Sequence, residues 1–312
     1  MIDHSFAGKR TIDHLMASKA FGTYFPQEAV IREKWHEAEM SIRKTLNSAE
    51  VFEISNVADY FWSTAKEKNW NISQDFPCLM PPFQNLWLEY TLPKNIPLNF
   101  KVAKRCGVLI QTHPLTTDAH AYASHHQTCT VFLDTVIGES NRVVDGPLLE
   151  IHYYIQHNGT PHFHPEGILL QTPGIRHDWA NQHRSMLSEL AIYTYPALLA
   201  VTLLNCKNTS VTENQPPTKL AKAHLHRHNR PLVTFRTLQI EPLTKILHEA
   251  TEGTSDLKRA LHICRGHFKD FREQGLFGRH KGLYWWGAQA RGRASKGVAL
   301  KDYKIGKVKC AP

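Results

Sequence analysis

The sequence predicts an α+β protein: a helical N-terminus and an antiparallel β-meander, followed by a small, basic, antiparallel-sheet C-terminal domain. Three observations predict it. Apolar residues recur at helical spacing through residues 9–70, strand-like runs bounded by Pro, Gly, Asn or Asp follow between 77 and 172, and the charge balance changes sign near residue 217. A chain of 312 residues is long for one core and comfortable for two, on a prior of about 100–200 residues per domain.

The helical opening rests on Ile12, Leu15, Met16 and Ala20, then Val30, Trp35, Ala38 and Ile42, then Val57, Tyr60, Phe61 and Ala65. Pro77, Pro81 and Pro82 end that pattern. Beyond them the runs 86–90 (LWLEY), 106–111 (CGVLIQ), 130–136 (TVFLDTV), 148–154 (LLEIHYY) and 167–171 (GILLQ) read as the meander. Residues 187–206 are the most apolar stretch and about as long as a membrane span, but Glu189 and Pro196 interrupt it. A buried, proline-kinked helix, or a helix followed by a strand, is expected there, and no membrane partner. Residues 207–231 are polar, Pro-containing and then basic, which reads as a linker or arm between an N-terminal domain (1–206) and a C-terminal domain (232–312). In the latter, 232–240, 260–265, 282–286 and 298–305 are strand candidates and 243–250 a helix candidate.

An apolar fraction of 42% describes an ordinary globular protein. Cysteines stand singly at 78, 106, 129, 206, 264 and 310, without a C-x-x-C pair, so a reduced cytosolic setting is expected. The N-terminal residues show no basic segment followed by an apolar run, and secretion is not expected. No cofactor is expected either. The P-loop pattern G-x-x-x-x-G-K-[ST] is absent and no G-x-G-x-x-G follows a strand, which leaves nucleotide triphosphate hydrolysis without support.

From residue 217 to the end there are 20 Lys and Arg against 7 Asp and Glu, a net of +13, so the first 216 residues carry −4 of the chain's +9. A cationic surface releases condensed counterions from nucleic acid, giving affinity without sequence preference and a steep salt dependence. RNA or DNA is therefore the partner expected for residues 217–312, and a protein partner is left for the mildly acidic N-terminal domain. Within the basic part, residues 262–292 interleave cations and imidazoles with aromatics and glycines. Aromatics among cations suit stacking on bases.

The segments 203–208 (LLNCKN), 216–220 (PPTKL), 262–271 (HICRGHFKDF) and 275–286 (GLFGRHKGLYWW) resemble a group of proteins from phages and other bacterial mobile elements. The likeness covers residues 203–305 and, more loosely, 86–90 and 107–110. It implies a mobile-element setting in a bacterial cell and brings no activity with it. A small basic C-terminal sheet bearing His, Arg, Lys and Tyr is also similar in architecture to the RelE- and barnase-like ribonuclease toxins. That likeness implies metal-independent RNA cleavage, with no residue-to-residue correspondence.

Cleaving RNA without a metal needs a base for the 2′-hydroxyl, an acid for the leaving 5′-oxygen and cations for the charge developing on phosphorus. Histidine serves either proton task, and arginine presents a rigid fork to phosphate oxygens. The candidates for catalysis are His262, His267, Arg265 and Lys281. Those for holding nucleic acid are Arg279, His280, Tyr284, Trp285, Trp286, Arg291 and Arg293, the aromatics by stacking. If Gly266 turns the chain, His262 and His267 either converge or diverge. The alternative makes His262 a core or edge histidine, His267 a turn residue, and divides the two tryptophans between core and surface. A non-enzymatic regulatory or assembly protein that holds nucleic acid is the competing function. A third reading is a metal site in the His-rich β region around His152, His157, His162, His164 and His177. His162 and His164 would share a strand face, but Glu166 comes directly after Pro165, off the cupin spacing, so no tightly held metal is expected there.

Overall fold

A computed structural model describes residues 10–17, 29–65, 69–98, 101–115, 122–137, 141–162, 169–171, 181–229, 231–240, 260–264, 266–276, 278–287, 289–291 and 293–299. The fold is α+β. Helices α1 (Thr11–Ala17), α2 (Ala29–Leu46) and α3 (Ser55–Ala65) form the helical opening, interrupted by a short strand β1 (Glu50–Glu53), and a single turn α4 (Ile72–Asp75) follows. The meander is β2 (Asn85–Leu98), β3 (Lys101–Pro114), β4 (His125–Ile137) and β5 (Asn141–Ile155), each strand paired antiparallel with the next. Short strands β6 (Pro161–His162) and β7 (Leu169–Gln171) both add to β5.

Both faces of this sheet are covered, which explains why the strands read as nearly continuous apolar runs. On one face Leu86, Leu88, Tyr90, Val108, Ile110, Cys129 and Val131 pack with α3 and with the apolar helix that follows the meander. On the other, Trp87, Leu109, Phe132 and Val144 pack against Ile12 and Leu15 of α1 and Ile42 and Leu46 of α2. The polar members of that second face meet under α1. Glu89, fully buried, accepts the Ile12 N–H (3.1 Å), the Trp87 Nε1–H (2.9 Å) and Arg105 Nη2 (3.1 Å), while Thr11 Oγ1 donates to Asp134 (3.0 Å). Burial raises the carboxyl of the neighbouring Glu53 above its ordinary value.

The apolar stretch is α5 (Arg184–Ala191), a 3-10 turn (Ile192–Thr194) and α6 (Tyr195–Leu204). Pro196 lies in the first turn of α6, where a missing N–H costs nothing. Residues Arg184–Leu204 are long and apolar enough to cross a membrane by length and composition, yet residues 196–203 are buried inside the protein.

The expected linker and domain boundary are corrected. Residues 207–231 contain a strand, β8 (Thr209–Asn214), and a helix, α7 (Thr218–His228). The next strand, β9 (Phe235–Ile240), pairs antiparallel with β8 and parallel with β1. The large sheet thus runs β6-β5-β4-β3-β2-β1-β9-β8, and it is mixed rather than purely antiparallel. Residues 209–240 close the edge of the N-terminal sheet instead of joining two domains. The strand candidates of the C-terminal part do not share one sheet: β9 belongs to the large sheet, and the others fall into two smaller ones. Strand β10 (Ala260–Cys264) lies between β13 (Gln289–Arg291), antiparallel, and β14 (Arg293–Ala299), parallel, whereas β11 (His267–Asp270) and β12 (Leu283–Trp286) form a separate hairpin. The helix expected at 243–250, like the strand residues expected beyond 299, lies outside the described residues.

Candidate nucleic-acid interface

Strand β12 is buried on both sides. Its Leu283 and Trp285 join the main core, while Tyr284 and Trp286 pack with Leu276 and the half-buried Phe271. Trp285, 1% exposed, stands edge-on to Tyr60 of α3 at 5.4 Å and to Phe268 at 4.6 Å. Gly266 makes that approach feasible: a Cβ there would lie 2.5 Å from the indole and 2.7 Å from the Tyr60 hydroxyl. The side chain of Asn208 clamps the backbone, donating to Trp285 O and accepting from Trp285 N–H, both at 2.9 Å. Lys207 N–H donates to Leu283 O at 2.8 Å, so residues 206–208 act as a short strand beside β12.

This overturns the stacking role expected of Tyr284, Trp285 and Trp286. All three are buried, and their rings are spent on packing. The exposed chemistry of the hairpin lies instead in residues 271–282. Phe271 N–H donates to Gly282 O at the neck, Leu276 and His280 exchange backbone bonds of 2.9 and 3.0 Å, and Gly275 and Gly278 take left-handed φ of 73° and 70°. Arg279 and Lys281 are exposed and His280 is half-buried. On the adjoining strand the Lys269 ammonium sits 4.3 Å over the Trp286 ring.

The proposed histidine pair is divided between two sheets. His262 is on β10, in register with Arg291 of β13, and Ala260 pairs with Arg293 of β14. Arg265, and the side chains of His262, Arg291 and Arg293, lie outside what is described. His267, exposed on β11, opposes Trp286 and lines a hollow of ≈ 140 Å³. Trp70, Gln74, Asp75 and Pro77, in and beside α4, line that hollow together with His267, Phe268 and Asp270 of β11 and Trp285 of β12. Reciprocal capping holds the α4 segment: Asn71 Oδ1 accepts from the Ser73 and Gln74 N–H groups (3.0 and 3.3 Å), and Asp75 Oδ2 accepts from Asn71 N–H at 2.7 Å. At the end of β11, Arg272 Nε donates to both oxygens of Asp270 (2.9 and 3.0 Å) and holds its carboxyl below the usual range.

Helix α7 is the strongest feature that the linker reading missed. It contains Lys219, Lys222 and Arg227 with three histidines and no acidic residue, and none of its described side chains is buried. Leu225 is 49% exposed. The helix ends on Asn229 in the left-handed conformation (φ 52°), whose N–H donates to Leu225 O at 2.8 Å. The only sequence cue to its end is Asn229, a residue tolerated in the left-handed stop position.

The imidazoles of the β region form a different arrangement. His126 Nε2 and His152 Nδ1 are 3.0 Å apart with rings 5° from parallel, Glu150 lies 3.8 Å from His152 Nε2, and His162 stacks on Tyr122 at 5.2 Å. One imidazole donates and the other accepts, and burial lowers the His152 pKa from its ordinary 6.5. Among the described residues no group of three or more His, Cys, Asp or Glu is placed to hold a metal ion; His164, Glu166 and His177 lie outside them. Cys78, Cys106, Cys129 and Cys206 are buried free thiols, with burial pushing the Cys106 pKa up to about 12.

No protein-family model matches the chain, and comparison with curated proteins and with solved structures finds no match.

Proposed function

We propose that the protein binds nucleic acid through the phosphate backbone, using α7 and the 271–282 loop, in the cytoplasm of a bacterial cell that carries a mobile element. The observation that carries this is the charge partition: the net +13 beyond residue 216 includes Lys219, Lys222, Arg227, Arg279 and Lys281, all of which face solvent. Cations that are exposed and set on ordered backbone can meet phosphates without first breaking the core. Burial of Tyr284, Trp285 and Trp286 favours a backbone binder over a protein that stacks successive bases. The second reading, metal-independent RNA cleavage, is favoured by one feature, the exposed imidazole of His267 at the rim of a hollow.

The test is binding of a homopolymer RNA by the full chain over a salt series. A Lys219→Glu, Lys222→Glu, Arg227→Glu variant is expected to keep its melting temperature and to lose about 2 from the slope of log K against log salt, at ~0.7 per phosphate contact on a single strand. No salt slope in the parent protein, or the same slope in the variant, would sink the proposed surface. Recovering the RNA cut in excess EDTA, with cleavage lost in His267→Ala, would move the second reading ahead of the first.

A further inference from the structure

We infer that α7 is a groove-reading helix whose partner is duplex DNA in the B form; this rests on the nucleic-acid reading and names which nucleic acid the same surface fits. The burial pattern fixes how the helix is presented. Leu220, Ala221 and His224 are half-buried and share one side of it, at the spacing that puts residues on a single helical face. The opposite side is a crest. It consists of Lys219, Lys222 and His226, spaced i, i+3 and i+7 and all exposed. Arg227 stands on one flank of the crest and Leu225, 49% exposed, on the other. The helix leaves the edge strand β8 of the large sheet, and no described helix or strand packs along it.

A helix solvated on its crest and both flanks fits a groove better than a flat surface. With its side chains an α-helix is ~10–12 Å across, and the major groove of B-form DNA is about 12 Å wide. The 11 residues of α7 make a rod of about 16 Å, or three turns. The floor of that groove offers guanine N7 and O6 as acceptors, to which the ammonium groups of Lys219 and Lys222 and a ring N–H of His226 can donate. Ala223, small and exposed beside the crest, lets the backbone come close. Arg227 on its flank meets the phosphates of the groove wall, and α7 carries no acidic side chain to repel them. On the other flank Leu225 finds an apolar partner in the thymine C5-methyl group, which uracil lacks. Other nucleic acids fit less well. The major groove of A-form RNA is too deep and narrow for side chains to read, and single strands call for exposed stacking rings, which the buried Tyr284, Trp285 and Trp286 do not supply.

The experiment measures binding of the full-length protein, over a salt series, to three short duplexes of one sequence: DNA, RNA, and DNA with 7-deazaguanine in place of guanine. DNA is expected to bind roughly 10-fold more tightly than RNA, and exchanging N7 for C–H should weaken the DNA complex about 5-fold, near the lower end of what a good base contact discriminates. A Lys222→Ala, His226→Ala variant should erase the advantage of DNA over RNA. Both positions are exposed and alanine favours a helix, so its melting temperature is expected to hold. Equal affinity for the DNA and RNA duplexes, indifference to 7-deazaguanine, or a DNA advantage that survives the double substitution overturns the groove assignment. If binding is still salt-steep in those cases, the phosphate-backbone reading stands without it, whereas the absence of a salt slope on either duplex overturns the wider reading as well.

Discussion

The hairpin at 267–286 and the helix at 218–228 belong to the same basic third of the chain, carry the same mixture of cations and imidazoles, and use their other residues in opposite ways. The hairpin encloses Leu283, Tyr284, Trp285 and Trp286 and carries Arg279 and Lys281 on an exposed loop; α7 buries none of its described side chains. In the hairpin, then, aromatic residues hold the charged loop against the main sheet. Three features do this holding: Asn208 clamps β12, Gly266 admits Trp285, and residues 283–286 fill two clusters.

The comparison breaks most sharply at Trp285. Trp285→Ala is expected to cost about 3–5 kcal/mol in denaturant unfolding, because it empties a site lined by Tyr60, Phe268 and Gly266. Leu225→Ala on α7, also an apolar truncation, should stay within about 0.5 kcal/mol because about half of Leu225 is already exposed and it lines no core cluster. Comparable losses at the two positions would mean that α7 packs against a surface and is not available to a ligand.

The same contrast explains what could be read from the sequence. Where both faces of an element are buried, the apolar run is long and unmistakable, and the meander and the α6 segment were legible. The centres of β2 to β5 were found but not their ends, where polar residues such as Asn85, His113 and His125 continue the pairing. Strand β8 (TSVTEN) is an edge strand whose described side chains are half-buried or exposed, so its composition resembles a linker. Helix α7 lacks an apolar stripe, and periodicity is blind to a helix without one. Alternation also misleads in β12: with Tyr284 and Trp286 covered by Leu276 and Phe271, neither face of the strand is a surface. The imidazole marks His267 in the sequence, but its neighbours at the hollow, Trp70 and Asp75, lie nearly 200 positions earlier and no local pattern joins them.

A smaller effect separates fold from charge within the loop itself. Gly278 has φ 70° and nothing within 4 Å of an added Cβ, so Gly278→Ala meets only the backbone penalty of the left-handed region. A loss of about 1 kcal/mol in chemical denaturation is expected, with the salt slope for RNA unchanged because Arg279 and Lys281 keep their places. A fall in the slope without a fall in stability would show instead that loop conformation, and not cation number alone, sets the phosphate contacts.

The smallest effect is electrostatic and depends on pH. The hydrogen bonds from Arg272 lower the folded-state pKa of Asp270 below the ordinary 3.8, so the folded protein binds this proton less readily than the unfolded chain does. The pair therefore contributes its full stability above pH 3.8 and loses it as the pH falls through the lowered folded value. With 41% of the Asp270 side chain exposed, water screens the attraction, and the contribution belongs in the ~0.2–1 kcal/mol range of surface pairs. Asp270→Asn should lower stability by that amount near neutrality, and the difference from the parent should vanish in acid; thermal melts at pH 7 and near pH 2 measure it. A difference that persists in acid would mean that Asp270 holds the neck of the hairpin through neutral hydrogen bonds, including the one its Oδ1 accepts from Arg272 N–H at 3.0 Å, and not through charge.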